Sequence, residues 1–235
     1  MALTDDLTAY YKLEDETATV GQNLTNVGST PFSPAKIANG ADGGENNSDR
    51  YLANESWSPI TFAEMNTAWS IGFWVYQNTA DLAMVFVFNL GSDGSEDNNR
   101  RQVWFGLSDT NNYVISMYPN FGTLVTAATI PFNTFVYLMG TYDGSTMQFY
   151  INGSPSESIN GNFGSPVNGI PSVISILTQR YGGTSYNLSS VIVDECGFWT
   201  RALSSTEVSQ LYNSGAGLQY PFTTTTVNSG FFNLM

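Results

Sequence analysis

Residues 191–222 read VIVDECGFWTRALSSTEVSQLYNSGAGLQYPF, and the change of pattern inside this stretch decides the fold. Val191, Ile192 and Val193, followed by Phe198 and Trp199, are β-branched and aromatic in the manner of a buried strand. Ser204 or Ser205, with Glu207 just beyond, supplies a helix N-cap and an acidic first turn. Val208, Leu211 and Tyr212 then recur at helical spacing, so a short helix is expected over 205–212. Gly215 and Gly217 stop it, because glycine enters the left-handed conformation that ends many helices.

Composition extends this strand-rich reading to the whole chain. Aromatic residues make up 14 % and charged residues only 11 % of the 235 positions, with 22 glycines, so the polar surface is built from Asn, Ser and Thr. A chain of this length buries one sizeable core, and all-β sandwiches of this size form one domain. Helix should occupy under about a tenth of the residues.

The charge pattern narrows the partners. Twenty acidic residues against 7 basic ones give a net charge of −13, a surface that repels phosphate backbones and anionic membranes. Nucleic acid is therefore not an expected partner, nor is membrane insertion. The chain has no histidine, which removes Ser-His and Cys-His nucleophile pairs and the imidazole ligands of zinc sites. Its one cysteine, Cys196, falls in the expected last strand, so no intramolecular disulfide forms and a buried, inert thiol is expected. The opening MALTDDLTAY lacks the basic and apolar regions of a signal peptide, and the longest apolar run, Leu82 to Phe88, is far too short to span a bilayer. Export through a cleaved signal is not expected.

The middle of the chain is punctuated strand. Trp69 to Tyr76 (WSIGFWVY) is apolar on both alternations, as in a central strand covered on both faces, and Leu82 to Leu90 is similar. Gly91 to Arg101 (GSDGSEDNNRR) is a polar loop. Gln102 to Leu107 and Tyr113 to Tyr118 read as a hairpin. Asp143-Gly144 and Asn152-Gly153 are dipeptides that accept positive φ and bracket a strand, Thr146 to Ile151. Met147, Phe149 and Ile151 share one face of that strand and Gln148 and Tyr150 the other.

Three of these segments, in chain order, carry a resemblance: LTAYYKLEDE (Leu7 to Glu16) with the following GQNLTNV (Gly21 to Val27), FVYLMGTYDGSTMQFYINGS (Phe135 to Ser154), and the 191–222 stretch. Together they resemble the laminin-G-like jelly-roll domains of the concanavalin A-like lectin and glucanase superfamily, of the type found in phage structural proteins. The resemblance implies an all-β fold, a two-sheet antiparallel β-sandwich of jelly-roll form with one short C-terminal helix, over residues 1–222. Residues 223–235 fall outside it as an extended tail.

The family implies lectin-like carbohydrate binding more often than cleavage. Its glycosidases need two carboxylates about 5.5 Å apart across a concave sheet, and no alternating run of acids exists here. Glu14-Asp15-Glu16, Asp93, Glu96 and Asp97, and the adjacent Asp194-Glu195, whose side chains should point to opposite faces of a strand, make no such pair. The chain is therefore expected not to be an enzyme. Many relatives hold one structural calcium ion, a hard cation that favours oxygen ligands. Carried over by position, the resemblance implies Asp194 and Glu14 as ligands, with Asp15 as a competitor of Glu14 and carbonyls from Ala41 to Asn46. The alternative for Asp194 is a structural role, capping a backbone turn or pairing with Arg201. No ligand-binding residue is singled out. Trp57, Tyr51, Asn111, Asn112, Tyr113, Tyr181 and Tyr186 are the candidates for a sugar-binding rim, each also readable as an ordinary loop or core residue.

The tail TTTTVNSGFFNLM offers an extended Thr spacer and an apolar tip, Phe231, Phe232, Leu234 and Met235, suited to docking on a partner. The same tip could fold back on its own domain. The expectation is a non-catalytic structural or attachment protein of a virion, a phage capsid decoration or tail-associated protein. Its partners would be other virion proteins or its own subunits in a homo-oligomer, and surface glycans. The alternative is an extracellular carbohydrate-binding module.

Overall fold

A computed structural model describes residues 1–44, 50–57, 67–78, 85–92, 102–107, 112–118, 123–129, 131–161, 172–181, 184–187 and 191–223. Two antiparallel sheets carry the structure. The first contains β1 (Leu7–Tyr11), β3 (Phe32–Pro34), β4 (Asn39–Asp42), β6 (Trp69–Gln77), β11 (Val136–Tyr142), β12 (Thr146–Ile151), β13 (Ser154–Asn160) and β17 (Val191–Trp199), in the order β13-β12-β11-β6-β17-β4-β3 with β1 also paired to β17. The second contains β2 (Thr25–Val27), β5 (Tyr51–Trp57), β7 (Val85–Ser92), β8 (Gln102–Leu107), β9 (Asn112–Tyr118), β10 (Thr123–Thr129) and β14 (Ser172–Ile176), in the order β10-β9-β8-β7-β14-β5-β2. A hairpin of β15 (Thr178–Tyr181) and β16 (Thr184–Asn187) stands apart. One α-helix, α1 (Ser205–Tyr212), is present among the described residues.

The expected elements are there for the reasons the sequence offers. β6 is buried along nearly its whole length on both faces, since Ile71, Phe73 and Val75 meet the core between the sheets while Trp74 meets a second cluster outside. β8 and β9 pair from Leu107↔Tyr113 to Gln102↔Tyr118, the hairpin expected. In β12, Met147 and Phe149 enter the core while Tyr150 joins the outer cluster. The described part of the strand expected over Leu82 to Leu90 begins at Val85. The helix starts at Ser204, whose hydroxyl accepts from the Glu207 amide while the Glu207 carboxylate accepts from the Ser204 amide, a capping box.

The core lies between the two sheets, where Phe73 meets Phe105 edge-on at 5.1 Å and Phe105 meets Phe149 at 6.1 Å. Cys196 is buried in it, and burial pushes its thiol pKa up, so it is inert as expected. Tyr51 and Tyr113, two of the rim candidates, also point into this core. Of the two readings open to each, the core one holds: Tyr113 shares the inward alternation of β9 with Ile115, and Tyr51 packs in the core beside Leu52 and Ala53. The tail from 224 onward, with Phe231, Phe232, Leu234 and Met235, lies outside the described residues, as do Asn111 and the side chains of Trp57, Tyr181 and Tyr186.

Candidate functional site

The outer face of the first sheet carries the unusual chemistry. β17 pairs with β6 along one edge, while its other edge is shared: β4 takes Ile192 and Val193, and β1 takes Cys196 to Trp199. Asp194 and Glu195 sit at the junction, where the register against β6 slips between Asp194 and Gly197 and Glu195 adopts φ +53°. A strict strand would send these two carboxylates to opposite faces. The bulge breaks the alternation, so both turn outward, which corrects the expectation from strand spacing.

Each carboxylate is tied to a distant part of the chain. Asp194, fully buried opposite Trp74, accepts from the Ile37 amide at 2.7 Å. Glu195, 4 % exposed, accepts from the Tyr10 hydroxyl and from Gln219 Nε2 at 2.5 Å. The Tyr10 oxygen in turn accepts from the Tyr220 amide at 3.3 Å. Residues 216–222 thus lie over the face as a strap, pinned by Glu195. Phe222 packs edge-on to Tyr10 at 5.3 Å and stacked on Trp199 at 6.2 Å. Gly217 permits the close approach, since its φ is +80° and a Cβ there would stand 3.1 Å from Ile37 and 3.2 Å from Trp74 Nε1. Trp74 itself lies between Tyr212 of α1, stacked at 5.7 Å, and Tyr137 at 5.2 Å, with Lys36 Nζ 4.8 Å from its ring centroid.

The electrostatics follow from this enclosure. Burial raises Asp194 to a pKa of about 8, against the lowering effect of the Ile37 hydrogen bond, and the neighbouring Glu195 charge adds to the rise. Burial likewise raises Glu195 to about 7, although the bonds from Tyr10 and Gln219 and the charge of Lys12 pull it down. Arg201 does not reach Asp194. It grips Glu207 through both terminal nitrogens at 3.0 and 2.7 Å, and that grip, outweighing burial, lowers Glu207 to about 2. Of the two structural roles open to Asp194, capping a backbone amide is the one found.

The two implied calcium ligands are placed differently. Asp194 Oδ1 is buried and without a hydrogen-bond partner, one free oxygen of the kind a hard cation takes. Glu14 is exposed, and its charge is felt by Glu195. Among the described residues no three Asp, Glu or Cys side chains gather round one point. A calcium ion at Asp194 would therefore draw most of its roughly 6–8 oxygens from backbone carbonyls and water. No helix among the described residues is long and apolar enough to cross a membrane.

The comparisons with known proteins fit this architecture. A family model described as the concanavalin A-like lectin/glucanases superfamily matches residues 44–209. The chain belongs to that superfamily. A search of curated proteins finds no match. Among solved structures, the binding domain of botulinum neurotoxin DC in complex with rat synaptotagmin II superposes with a TM-score of 0.69 at 16 % identity, covering 91 % of this chain and 52 % of that one. The binding domain of Paraclostridial Mosquitocidal Protein 1 gives 0.66 at 18 % identity, covering 90 % and 52 %. A structure from work on the entry of botulinum neurotoxin type C into cells, dependent upon two ganglioside molecules, gives 0.67 at 16 % identity, covering 89 % and 51 %. The chain thus spans about half the length of the neighbours it matches, and what it shares with them is the jelly-roll fold.

Proposed function

We propose that this chain is a non-catalytic attachment or structural protein of a virion, a capsid decoration or tail-associated module that presents a lectin-like face to surface glycans. The observation that carries the reading is the meeting of Leu3 and Phe222 on Trp199, which sets the last described residues before 224 at one corner of the first sheet. The Leu3 carbonyl accepts from Trp199 Nε1 at 2.7 Å, and Phe222 stacks on the same indole. A module held through residues 223–235 at that corner would leave the far end of the first sheet's outer face, around Ile192 at the other end of β17, free for recognition. The acidic pair that a glycosidase would need in the open is instead enclosed beneath the strap, which favours binding over cleavage. Two of the neighbouring folds are binding domains solved with rat synaptotagmin II and with SialylT, in keeping with a fold used for recognition.

Removal of residues 223–235 tests the attachment half. The domain should stay folded, because the strap ends at Phe222, while oligomerisation or copurification with particles is lost. Three buried apolar side chains of the tip could contribute on the order of several kcal/mol to docking, at about 2 kcal/mol each before ordering costs. A truncated chain that still assembles on particles would refute docking through the tail. A protein that never accompanies particles yet binds soluble glycans would instead be the extracellular carbohydrate-binding module.

One calcium ion at Asp194, with Glu14 as the second candidate ligand, belongs to the same proposal. The orphaned Asp194 oxygen supports it. Calcium at about 100 times its Kd should stabilise the fold by about 2.7 kcal/mol if it binds only the native state. Identical melting curves in millimolar calcium and in chelator, for the native chain and for Asp194→Ala alike, would dismiss the site.

A further inference from the structure

One pleat along from the sealed acids, the same outer face is open. Asp42, Ile192 and Tyr76 are register partners on the adjacent strands β4, β17 and β6. They form one cross-strand row beside the row containing Asp194 and Trp74. With Pro31, Gly44, Arg50 and Asn78 they line a cleft of about 330 Å³. That volume stands at the lower end of small-ligand sites, about 300–1,000 Å³, and suits a single ring rather than an extended chain.

The lining divides into an apolar wall and convergent polar groups. Ile192, Pro31 and the ring of Tyr76 make the wall. Tyr76 is held by a ring contact to Phe135 at 5.1 Å and by donating its hydroxyl to Asn133 Oδ1 at 3.2 Å. Asp42 is fixed by the Ser33 hydroxyl at 2.6 Å on one oxygen and the Gly44 amide at 2.8 Å on the other. Each oxygen keeps a further acceptor position. Asn78 adds an exposed amide at the mouth.

Arg50 is the group without an internal explanation. Arg201 is spent on Glu207, Lys36 on the Trp74 ring, and Lys12 acts on Glu195, but the Arg50 guanidinium has no acceptor among the described residues. It lies against the backbone of Gly44, where φ is +72° and an added Cβ would stand 2.8 Å from Arg50 Nη1. A planar cation kept half-buried and unpaired among the described residues of a chain of net charge −13 offers its hydrogen bonds to an external anion, and guanidinium matches a carboxylate with two parallel hydrogen bonds.

We propose that this cleft binds one carboxylated sugar ring. Arg50 takes the carboxylate, Asp42 and Asn78 take hydroxyls, and Ile192 and Tyr76 cover the apolar C–H face. The proposal rests on the lectin-like reading above and gives it a ligand class. A hexuronate and a sialic acid both present this chemistry, so both belong in the test.

Titration calorimetry or saturation-transfer NMR on the full chain would use methyl β-glucuronide, the methyl glycoside of N-acetylneuraminic acid, and methyl β-glucoside as the neutral isostere. At least one carboxylated sugar should bind about 10-fold or more tightly than the glucoside, a difference a charge-assisted pair supplies. Which one does so identifies the source of the carboxylate. Arg50→Gln should erase that preference, and Gly44→Ala should weaken it by displacing the guanidinium. Equal binding of charged and neutral sugars, a preference that survives Arg50→Gln, or sodium sulfate competing as well as the sugar would overturn the proposal. Each variant would also be assayed for attachment to whole glycan-coated surfaces. Attachment that persists unchanged in Arg50→Gln overturns this cleft but leaves the lectin-like reading standing, whereas no glycan binding by any form overturns both.

Discussion

The outer face of the first sheet has two halves that share the strands β17 and β6, and they solve opposite problems. In the sealed half, Asp194 and Glu195 are enclosed by Ile37, Tyr10, Trp74 and the strap, and burial drives both toward the protonated form. In the open half, Asp42 sits one pleat away with both oxygens hydrogen-bonded and water within reach. The difference lies in what covers each residue and in the strand alongside, since β17 and β6 continue through both halves while β4 flanks the open half and β1 the sealed one. An acid on this face serves the fold where residues 216–222 lie over it, as at Glu195, and stays partly exposed at Asp42, which those residues do not contact.

The largest expected effect breaks the seal. Trp199 is 1 % exposed and stacks with Phe222, so Trp199→Ala should destabilise by about 3–5 kcal/mol in urea unfolding. Ile192→Ala in the open half should cost only about 1 kcal/mol. Equal losses would mean that the two halves are not distinct.

The next effect is one of pH. Asp194 and Glu195 have folded-state values of about 8 and 7, above their ordinary 3.8 and 4.5. A raised acid contributes stability that is complete below its unfolded value and is lost as pH rises through the folded one. Stability measured in chelator should therefore fall between about pH 4 and pH 8, by on the order of a few kcal/mol, and Asp194→Asn should flatten that fall. A flat profile in the native chain would show that the acids are solvated after all.

Glu207 has the opposite sign and a smaller magnitude. Its folded value of about 2 lies below the ordinary 4.5, so its stabilisation is present above about pH 4.5 and is lost as pH falls through 2. Near neutrality Glu207→Gln should remove about 1–2 kcal/mol through the lost Arg201 pair and capping box. A loss under 0.3 kcal/mol would reduce the pair to an ordinary surface contact. The smallest change belongs to the open half, where Arg50→Gln should shift the unfolding midpoint by less than about 0.5 kcal/mol. A larger loss would give Arg50 a structural role.

Much of the fold was legible because its signals are local. The 205–212 helix, its Ser204 cap, the Thr146–Ile151 strand between two glycine turns and the doubly covered Trp69 strand each follow from residues within a few positions of one another. The site was less legible. Asp194 could be singled out from its motif, but Tyr51 and Tyr113 look as suited to a rim as to a core until their alternation against the opposite sheet is known. Tyr76 reads only as the end of a doubly covered strand, and Arg50 was not singled out, although an Arg following a Gly- and Asn-rich stretch in so acidic a chain is a signal that could have been followed.

By itself the sequence determined the strands, the turns, the capped helix, the exclusion of histidine chemistry and the superfamily, because backbone conformation and side-chain alternation are settled within a few residues. Only the tertiary structure decided the face to which Glu195 turns, through a bulge that no spacing rule foretells. It alone joined Tyr10 to Glu195 across 185 positions, and brought Asp42, Tyr76 and Ile192 into one row. Such neighbours are set by the register of strands far apart in the chain, and register is fixed by how the whole core closes.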